Sequence, residues 1–165
     1  MPPGPIIIDC DPGQDDALAI LLALASPDEL EVLAIMAVAG NVPLALTQAN
    51  ARRVVELAGR REVPVHAGCD RPLVRKLVTA EFVHGRTGLD GADLPPPTLP
   101  LAETHAVDAL IELLRARPAG TVTLCPLGPL TNVALALLKA PDIAPRIRQI
   151  VLMGGAIGEG NITPS

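Results

Sequence analysis

Tryptophan and tyrosine are absent from this chain, and Phe82 is its only other large aromatic side chain. Stacking platforms for bases or single strands are therefore missing from these 165 residues. Basic clusters are missing too: the net charge is −5 and no run of Lys and Arg offsets it, which argues against nucleic acid as a partner. No Cys-x-x-C pair occurs. Cys10, Cys69 and Cys125 are odd in number and far apart, the pattern of reduced thiols in a cytoplasmic protein. Met1-Pro2-Pro3-Gly4 carries no basic residue, so the apolar run after it does not read as a signal peptide. The longest apolar run, residues 17–25, is too short to span a bilayer, and no membrane partner is expected.

What remains is a chain that is 49% hydrophobic and must build its core from Leu, Ile, Val and Ala. Its length suits one domain with a substantial core. Short β-branched or apolar runs alternate with longer amphipathic ones. Strands are predicted over 6–8, 32–38, 63–66, 122–125 and 150–153, and helices over 15–25, 44–58, 103–117 and 130–139. A helical turn is expected within 71–79, and 81–85 leads into a turn-rich loop reaching residue 100. Thr104 or a neighbour is expected to cap the third long helix. This βαβ alternation predicts an α/β fold: a mostly parallel open sheet with helices on both faces, residues 1–165 forming part of a single domain.

Polar residues collect where the strands end. Ile6-Ile7-Ile8 runs into Asp9-Cys10-Asp11-Pro12-Gly13-Gln14-Asp15-Asp16, four carboxylates with no Lys or Arg among them. In an extended chain Asp9 and Asp11 point to one side and Cys10 away, and the Pro-Gly turn brings Asp15 and Asp16 back over them. Carboxylates this close repel, which raises pKa values or calls for a counter-charge. A hard divalent cation with oxygen ligands answers that need. Asp15 and Asp16 are also ordinary acids for a helix first turn. Cys10 reads as a packed small side chain, since neighbouring carboxylates disfavour its thiolate. Asn41, after Gly40, is either a turn residue or a ligand contact. His84 is a substrate contact, a general acid or a solvated side chain, whereas His66 and His105 read as structural. Gly154-Gly155-Ala156-Ile157-Gly158 lacks the spacing of a dinucleotide-binding loop.

Taken together, Asp9-Cys10-Asp11-Pro12-Gly13-Gln14-Asp15-Asp16-Ala17 resembles the aspartate signature of the inosine–uridine-preferring nucleoside hydrolase family. Further blocks agree in order along the whole chain. They are Val38-Ala39-Gly40-Asn41, Ala67-Gly68 with Pro72-Leu73, His84-Gly85 with Gly88-Leu89, Leu127-Gly128-Pro129-Leu130-Thr131-Asn132, and Val151-Leu152-Met153-Gly154-Gly155 with Glu159-Gly160-Asn161. The resemblance implies Ca²⁺-dependent hydrolysis of the N-glycosidic bond of ribonucleosides, giving ribose and free base. It implies that Asp11 activates water and touches the metal, that Asp16 and the main-chain oxygen of Leu127 are further metal ligands, and that Asp9 supports them. Many members carry threonine where Leu127 stands, an exchange that a backbone ligand tolerates. Asp15, Asn41, His84 and Asn161 would contact the substrate, Asn161 toward the 5′-hydroxyl.

Members of that family run well past this length. Their later residues would supply further ribose contacts, a leaving-group contact and another calcium ligand. The expectation is therefore the N-terminal part of a nucleoside hydrolase, inactive by itself, with apolar surface exposed after the last strand and a homo-oligomer as the expected state. Two other readings stand beside it. One is a non-catalytic metal- or ribose-binding module, or a degenerate or split subunit. The other is an aspartate-type phosphohydrolase, suggested by Asp9-x-Asp11 but opposed by Pro12-Gly13, where that class has Thr or Val.

Overall fold

The computed structural model describes residues 2–155, 157 and 158. Five strands, β1 (Gly4–Cys10), β2 (Leu30–Ala37), β3 (Val65–Ala67), β4 (Val122–Pro126) and β5 (Ile147–Ile150), form one sheet in the order β3-β2-β1-β4-β5. All four pairings are parallel. The helices are α1 (Gln14–Leu24), α2 (Leu44–Leu57), α3 (Glu81–His84), α4 (Ala106–Ala116) and α5 (Thr131–Lys139), followed by a 3-10 turn over Pro141–Arg146.

Alternation along β1 explains the layering. Ile6, Ile8 and Cys10 point into a core closed by Ile20 and Leu24 of α1 and Val54 and Val55 of α2. Ile7 points the other way, into a core with Leu110 and Leu114 of α4 and Val133 and Ala136 of α5. Central parallel strands covered on both faces need continuous apolar runs, which is what the isoleucine triplet supplies. Helices therefore lie on both faces, as expected.

Strand order reverses at β1, because β2 and β3 grow outward on one side and β4 and β5 on the other. In an open α/β sheet a crevice forms at such a switch point, outside the C-terminal strand ends. The acids that follow β1 and the Leu127-Gly128 turn after β4 both reach that crevice.

Several boundaries differ from those expected. β3 begins at Val65 rather than residue 63, and α4 begins at Ala106 rather than 103. Contacts across the chain are the reason: Ala102 donates its N–H to Val65 O (2.9 Å), and Thr104 O lies 2.8 Å from His66 Nδ1, so residues 102–104 are held beside β3. His105, not Thr104, caps the helix, its Nδ1 accepting from Val107 N–H at 3.2 Å. Residues 71–79 hold no helix, while 81–84 form the helical turn α3. β5 starts at Ile147, three residues before the apolar run that predicted it. Its ladder nevertheless runs on through that run, because Val151 and Met153 donate to Leu124 O (2.8 Å) and Pro126 O (3.0 Å). Among the described residues no helix is long and apolar enough to cross a membrane.

Candidate active site

Asp11 sits one residue beyond β1, 5% exposed, between two glycines. A methyl group on Gly40 or on Gly128 would collide with its carboxylate, so the side chain is walled on both sides by bare backbone. Asn41 completes the grip: its backbone N–H donates to Asp11 Oδ2 at 2.6 Å and its side-chain amide donates to Asp11 O at 3.0 Å. Asn41 is thus first a residue that fixes Asp11, and it also lines the cleft. Neither glycine has positive φ; what the site needs from them is space.

Asp16 stands in the first turn of α1, 4% exposed, and accepts from Gly13 N–H at 3.3 Å through Oδ2. Its Oδ1 is buried and has no partner among the described residues. Burial, then the charge of Asp16, push the Asp11 carboxyl up to about 7. Burial pushes Asp16 up to about 6, against the pull of the Gly13 amide and with added repulsion from Asp15. Asp9, 2% exposed, is likewise pushed up to about 7 by burial, partly offset by its hydrogen bond from Asn132. Burial, then the charges of Asp16, Asp9 and Asp11, drive the Cys10 thiol well above its ordinary range, which fits its place as core packing.

A cleft of about 480 Å³ unites Asp11, Asp15, Asp16, Asn41, His84 and Leu127, six of the seven residues expected to touch metal or substrate. Asn161, the seventh, lies outside the described residues. Asp15 is exposed at the rim. His84 closes α3, and Gln14 orients it: Gln14 Nε2 lies 3.3 Å from His84 O and 3.4 Å from Asp90 O, which turns its Oε1 to His84 Nδ1 at 2.6 Å. The Nδ1 proton is thereby assigned to that bond, leaving Nε2 as the ring atom available to a ligand. Gly13 makes room for the imidazole, since a Cβ there would strike the ring. Leu127 donates its N–H to Asp9 O (2.7 Å), and among the described residues its own carbonyl accepts no backbone hydrogen bond.

No Lys or Arg lines this cleft among the described residues. Nor do three His, Cys, Asp or Glu side chains converge there or elsewhere as a metal cluster among those residues. A cation would instead rest on two carboxylates and backbone oxygen. That donor set suits a hard ion, and the orphaned Asp16 Oδ1 and the mutually repelling Asp11 and Asp16 are what such an ion would relieve.

Two residues given no role in the sequence analysis turn out to brace the site. Asn132, fully buried at the start of α5, donates to Asp9 Oδ2 (2.8 Å) and Ala37 O (3.2 Å) and accepts from Cys69 N–H (2.8 Å). One amide thereby ties together the C-terminal ends of β1, β2 and β3 from the α5 side, with Gly68 leaving it space. Asn50 does the same from the other face, donating to Pro12 O (3.2 Å) and Thr87 O (2.8 Å). It fastens the turn before α1 to the loop after His84. The available signal was an asparagine on the buried face of each helix, a costly place for an amide unless every polar atom is used.

Comparison with known proteins agrees with this architecture. The model of the family "Inosine-uridine preferring nucleoside hydrolase" matches residues 6–165. An uncharacterized protein of Schizosaccharomyces pombe is 55% identical over 161 residues, covering 97% of this chain and 52% of its own length. The inosine-uridine preferring nucleoside hydrolase of Crithidia fasciculata is 48% identical over 162 residues, covering 98% and 51%. Among solved structures, a plant nucleoside hydrolase superposes with a TM-score of 0.88 at 40% identity, covering 99% of this chain and 52% of that one. The chain spans about half the length of the curated relatives it matches. With the parallel sheet, the switch-point cleft and the matching residues agreeing, this chain belongs to the inosine-uridine preferring nucleoside hydrolase family.

Proposed function

We propose that this chain carries the carboxylate half of a ribonucleoside N-ribohydrolase site that works with Ca²⁺. The observation that carries the reading is the pairing of Asp11 and Asp16, buried without a cationic partner in a cleft at the strand ends. Asp11, Asp16 and the Leu127 carbonyl oxygen would hold the ion. When bound, it would neutralise the two carboxylates and anchor the vicinal hydroxyls of a ribose. Breaking the bond between C1′ and the base nitrogen develops positive, oxocarbenium-like charge on the sugar. The acids around Asp11 stabilise that charge. Asp11 Oδ1 or Oδ2 takes a proton from the attacking water, an effect worth roughly 10²–10⁴ in rate for a well-placed base. Asp15 at the rim accepts from a ribose hydroxyl, and Asn41 and His84 Nε2 give polar contacts to the sugar. The three unpaired thiols support a reducing compartment such as the cytoplasm, where nucleoside breakdown would feed salvage of the base.

The test is release of free base and reducing sugar from inosine and uridine in Ca²⁺. The chain is assayed alone and with a polypeptide covering the remaining half of the family fold. Base release that needs Ca²⁺ and disappears in Asp11→Ala is the expected result. Phosphate release from phosphomonoesters with no base release would overturn it in favour of an aspartate-type phosphohydrolase. A second reading, a metal- and ribose-binding module without turnover, rests on the same buried Asp11 and Asp16 pair without a cationic partner in the cleft. Calorimetry decides between them, since tight Ca²⁺ and ribose binding without any turnover would select the module.

A further inference from the structure

The chain has three histidines, and among the described residues only His84 lines the carboxylate cleft. Their ring nitrogens meet different partners, and the partner decides where the proton sits. His66 Nδ1 faces the Thr104 carbonyl oxygen at 2.8 Å, which can only accept, so that nitrogen carries the proton. His105 Nδ1 accepts from Val107 N–H at 3.2 Å, which leaves the proton of a neutral ring on Nε2. His84 Nδ1 meets the side-chain amide of Gln14 at 2.6 Å. An amide can present either end to a ring nitrogen, so the tautomer depends on what holds the other end. Here that other end lies 3.3 Å from His84 O and 3.4 Å from Asp90 O, two oxygens that cannot donate. Turning the amide over would set its oxygen against both of them. Gln14 Oε1 therefore faces the ring, and Nδ1 carries the proton.

The loop that supplies those two carbonyls is closed without help from Gln14. The Asp90 carboxylate accepts from the Arg86 and Thr87 N–H groups, each at 3.0 Å, and from the Thr87 hydroxyl. Gly85, at φ +78°, lets that carboxylate pack against bare backbone, where a Cβ would strike it. Asn50 then fastens Thr87 O (2.8 Å) to Pro12 O (3.2 Å), which fixes the loop to the turn before α1. The ring lies against Gly13 on its Nδ1 and Cε1 edge, so the side of the imidazole turned to Gln14 is set by backbone as well. Among the described residues no hydrogen bond engages Nε2.

Resting on the ribonucleoside reading of the cleft, we infer that Gln14 is a positioning residue that locks His84 in the Nδ1–H tautomer, so that the neutral ring accepts a hydrogen bond at Nε2 from a sugar hydroxyl. From sequence, His84 was a substrate contact, a general acid or a solvated side chain. The lock decides among these: a neutral ring whose one proton is committed to Gln14 has none to give a departing base. In water a neutral histidine favours the proton on Nε2, so the opposite tautomer has to be imposed, and position 14 imposes it. The same turn presents Asp15 and Asp16 to the cleft. With Asp11 beside them and no Lys or Arg in the lining among the described residues, His84 Nε2 becomes one more acceptor facing a ligand rich in hydroxyl donors.

Two-bond proton–nitrogen correlation spectra of the ¹⁵N-labelled chain, taken in chelator at pH 8, read which nitrogen of each ring is protonated. His84 should match His66, with Nδ1 protonated and Nε2 bare, and should be opposite to His105. Gln14→Leu should move at least half of the His84 population to the Nε2–H form. Gln14→Glu, which keeps an acceptor oxygen, should keep Nδ1 protonated. Unshifted His66 and His105 signals in both variants show that the fold is intact. A parent chain with His84 as Nε2–H would overturn the inference, and so would a Gln14→Leu spectrum identical to that of the parent. With Ca²⁺ present, added ribose should shift His84 Nε2 and leave Nδ1 nearly in place, and Gln14→Leu should bind ribose at least fivefold more weakly. Ribose binding that leaves Nε2 unmoved would overturn the acceptor role. A chain with the locked tautomer that binds no ribose at all would uphold the lock and count against the proposed function instead.

Discussion

Glu56 and Asp11 are two carboxylates that one fold treats in opposite ways. Glu56, on α2, receives the Thr98 hydroxyl (2.6 Å), the Thr98 and Leu99 amides and Arg61 Nη1 (2.6 Å). The Thr98 hydroxyl first, and then the other donors, hold its carboxyl down at about 2. Asp11 is more deeply buried, has a single side-chain-level donor in the Asn41 amide, and sits beside other acids that push it the other way. The difference teaches where the molecule's polar groups serve stability and where they wait for a ligand. A carboxylate saturated by its own chain pins a loop; one left without a cationic partner in a cleft is where the proposed cation would bind.

The largest effect should come from breaking the unsatisfied side. Asp11→Ala removes the proposed base and a cation ligand together. Nucleoside hydrolysis in the assembly that shows it should fall by at least the roughly 10²–10⁴ expected for a placed base. Gly40→Ala should approach that loss without touching a reacting atom, because its methyl would displace the Asp11 carboxylate. Steady-state base release checks both. Activity within twofold of the parent chain for Gly40→Ala would mean that the glycine wall has no catalytic consequence.

Next is Asn132→Leu, which keeps side-chain volume but strands Asp9 Oδ2 and the Cys69 N–H in the interior. Each buried polar group left without a partner costs about 1–3 kcal/mol, so a loss of about 3 kcal/mol in urea unfolding is expected. An unchanged midpoint would show that the three strand ends do not depend on that amide.

The same comparison can be sharpened by pH. Asp9, Asp11 and Asp16 stand near 7, 7 and 6 in the folded chain against a reference of 3.8, so the unfolded chain ionises first as pH rises. Fewer protons on the unfolded state means that metal-free stability falls between about pH 4 and pH 7. Glu56 runs the opposite way: its depressed pKa adds stability above its ordinary 4.5 that is lost as pH falls toward 2. Thermal melts across pH 3–8, taken with chelator and then with Ca²⁺, read both. Saturating Ca²⁺ should flatten the upper slope, adding about 2.7 kcal/mol at a hundred times its dissociation constant. A melt that rises steadily from pH 4 to pH 7 in chelator would contradict the burial of these acids as free carboxyls.

Much of this was legible in the residues because local pattern and tertiary role coincided. The isoleucine triplet announces a strand covered on both faces, and the acids behind it announce the strand end at the switch point. Other features were settled by contacts distant in sequence. The late start of α4 follows from Ala102 bridging to β3 and Thr104 O meeting the His66 ring, and His105 inherits the cap for that reason. Ile147-Arg148-Gln149-Ile150 carries no strand signal because its two adjacent polar residues break the period-2 pattern, and the unbroken run after it draws the predicted strand boundary forward. Asn50 and Asn132 were invisible as braces because their partners lie up to 123 residues away.

The smallest effect should be at the satisfied carboxylate. Glu56→Gln keeps one acceptor oxygen but gives up the charge that strengthens the bonds from Thr98, Leu99 and Arg61. Arg52 still holds Leu99 O (3.0 Å) and Arg53 still holds Pro95 O (3.2 Å), so the loop outside β3 stays anchored at two more points. Hydrogen exchange should therefore quicken several-fold at the Thr98 and Leu99 amides alone, leaving the strand amides of β1 and β2 as they were. Neither Glu56 nor Thr98 or Leu99 lines the Asp11 cleft, and Ca²⁺ affinity measured by calorimetry should not change. A large drop in that affinity would show that the two carboxylates are coupled through α2, where Asn50 accepts from Arg53 Nη1 (3.0 Å) while gripping the Pro12 carbonyl. Equal affinities would instead confine the role of Glu56 to the loop.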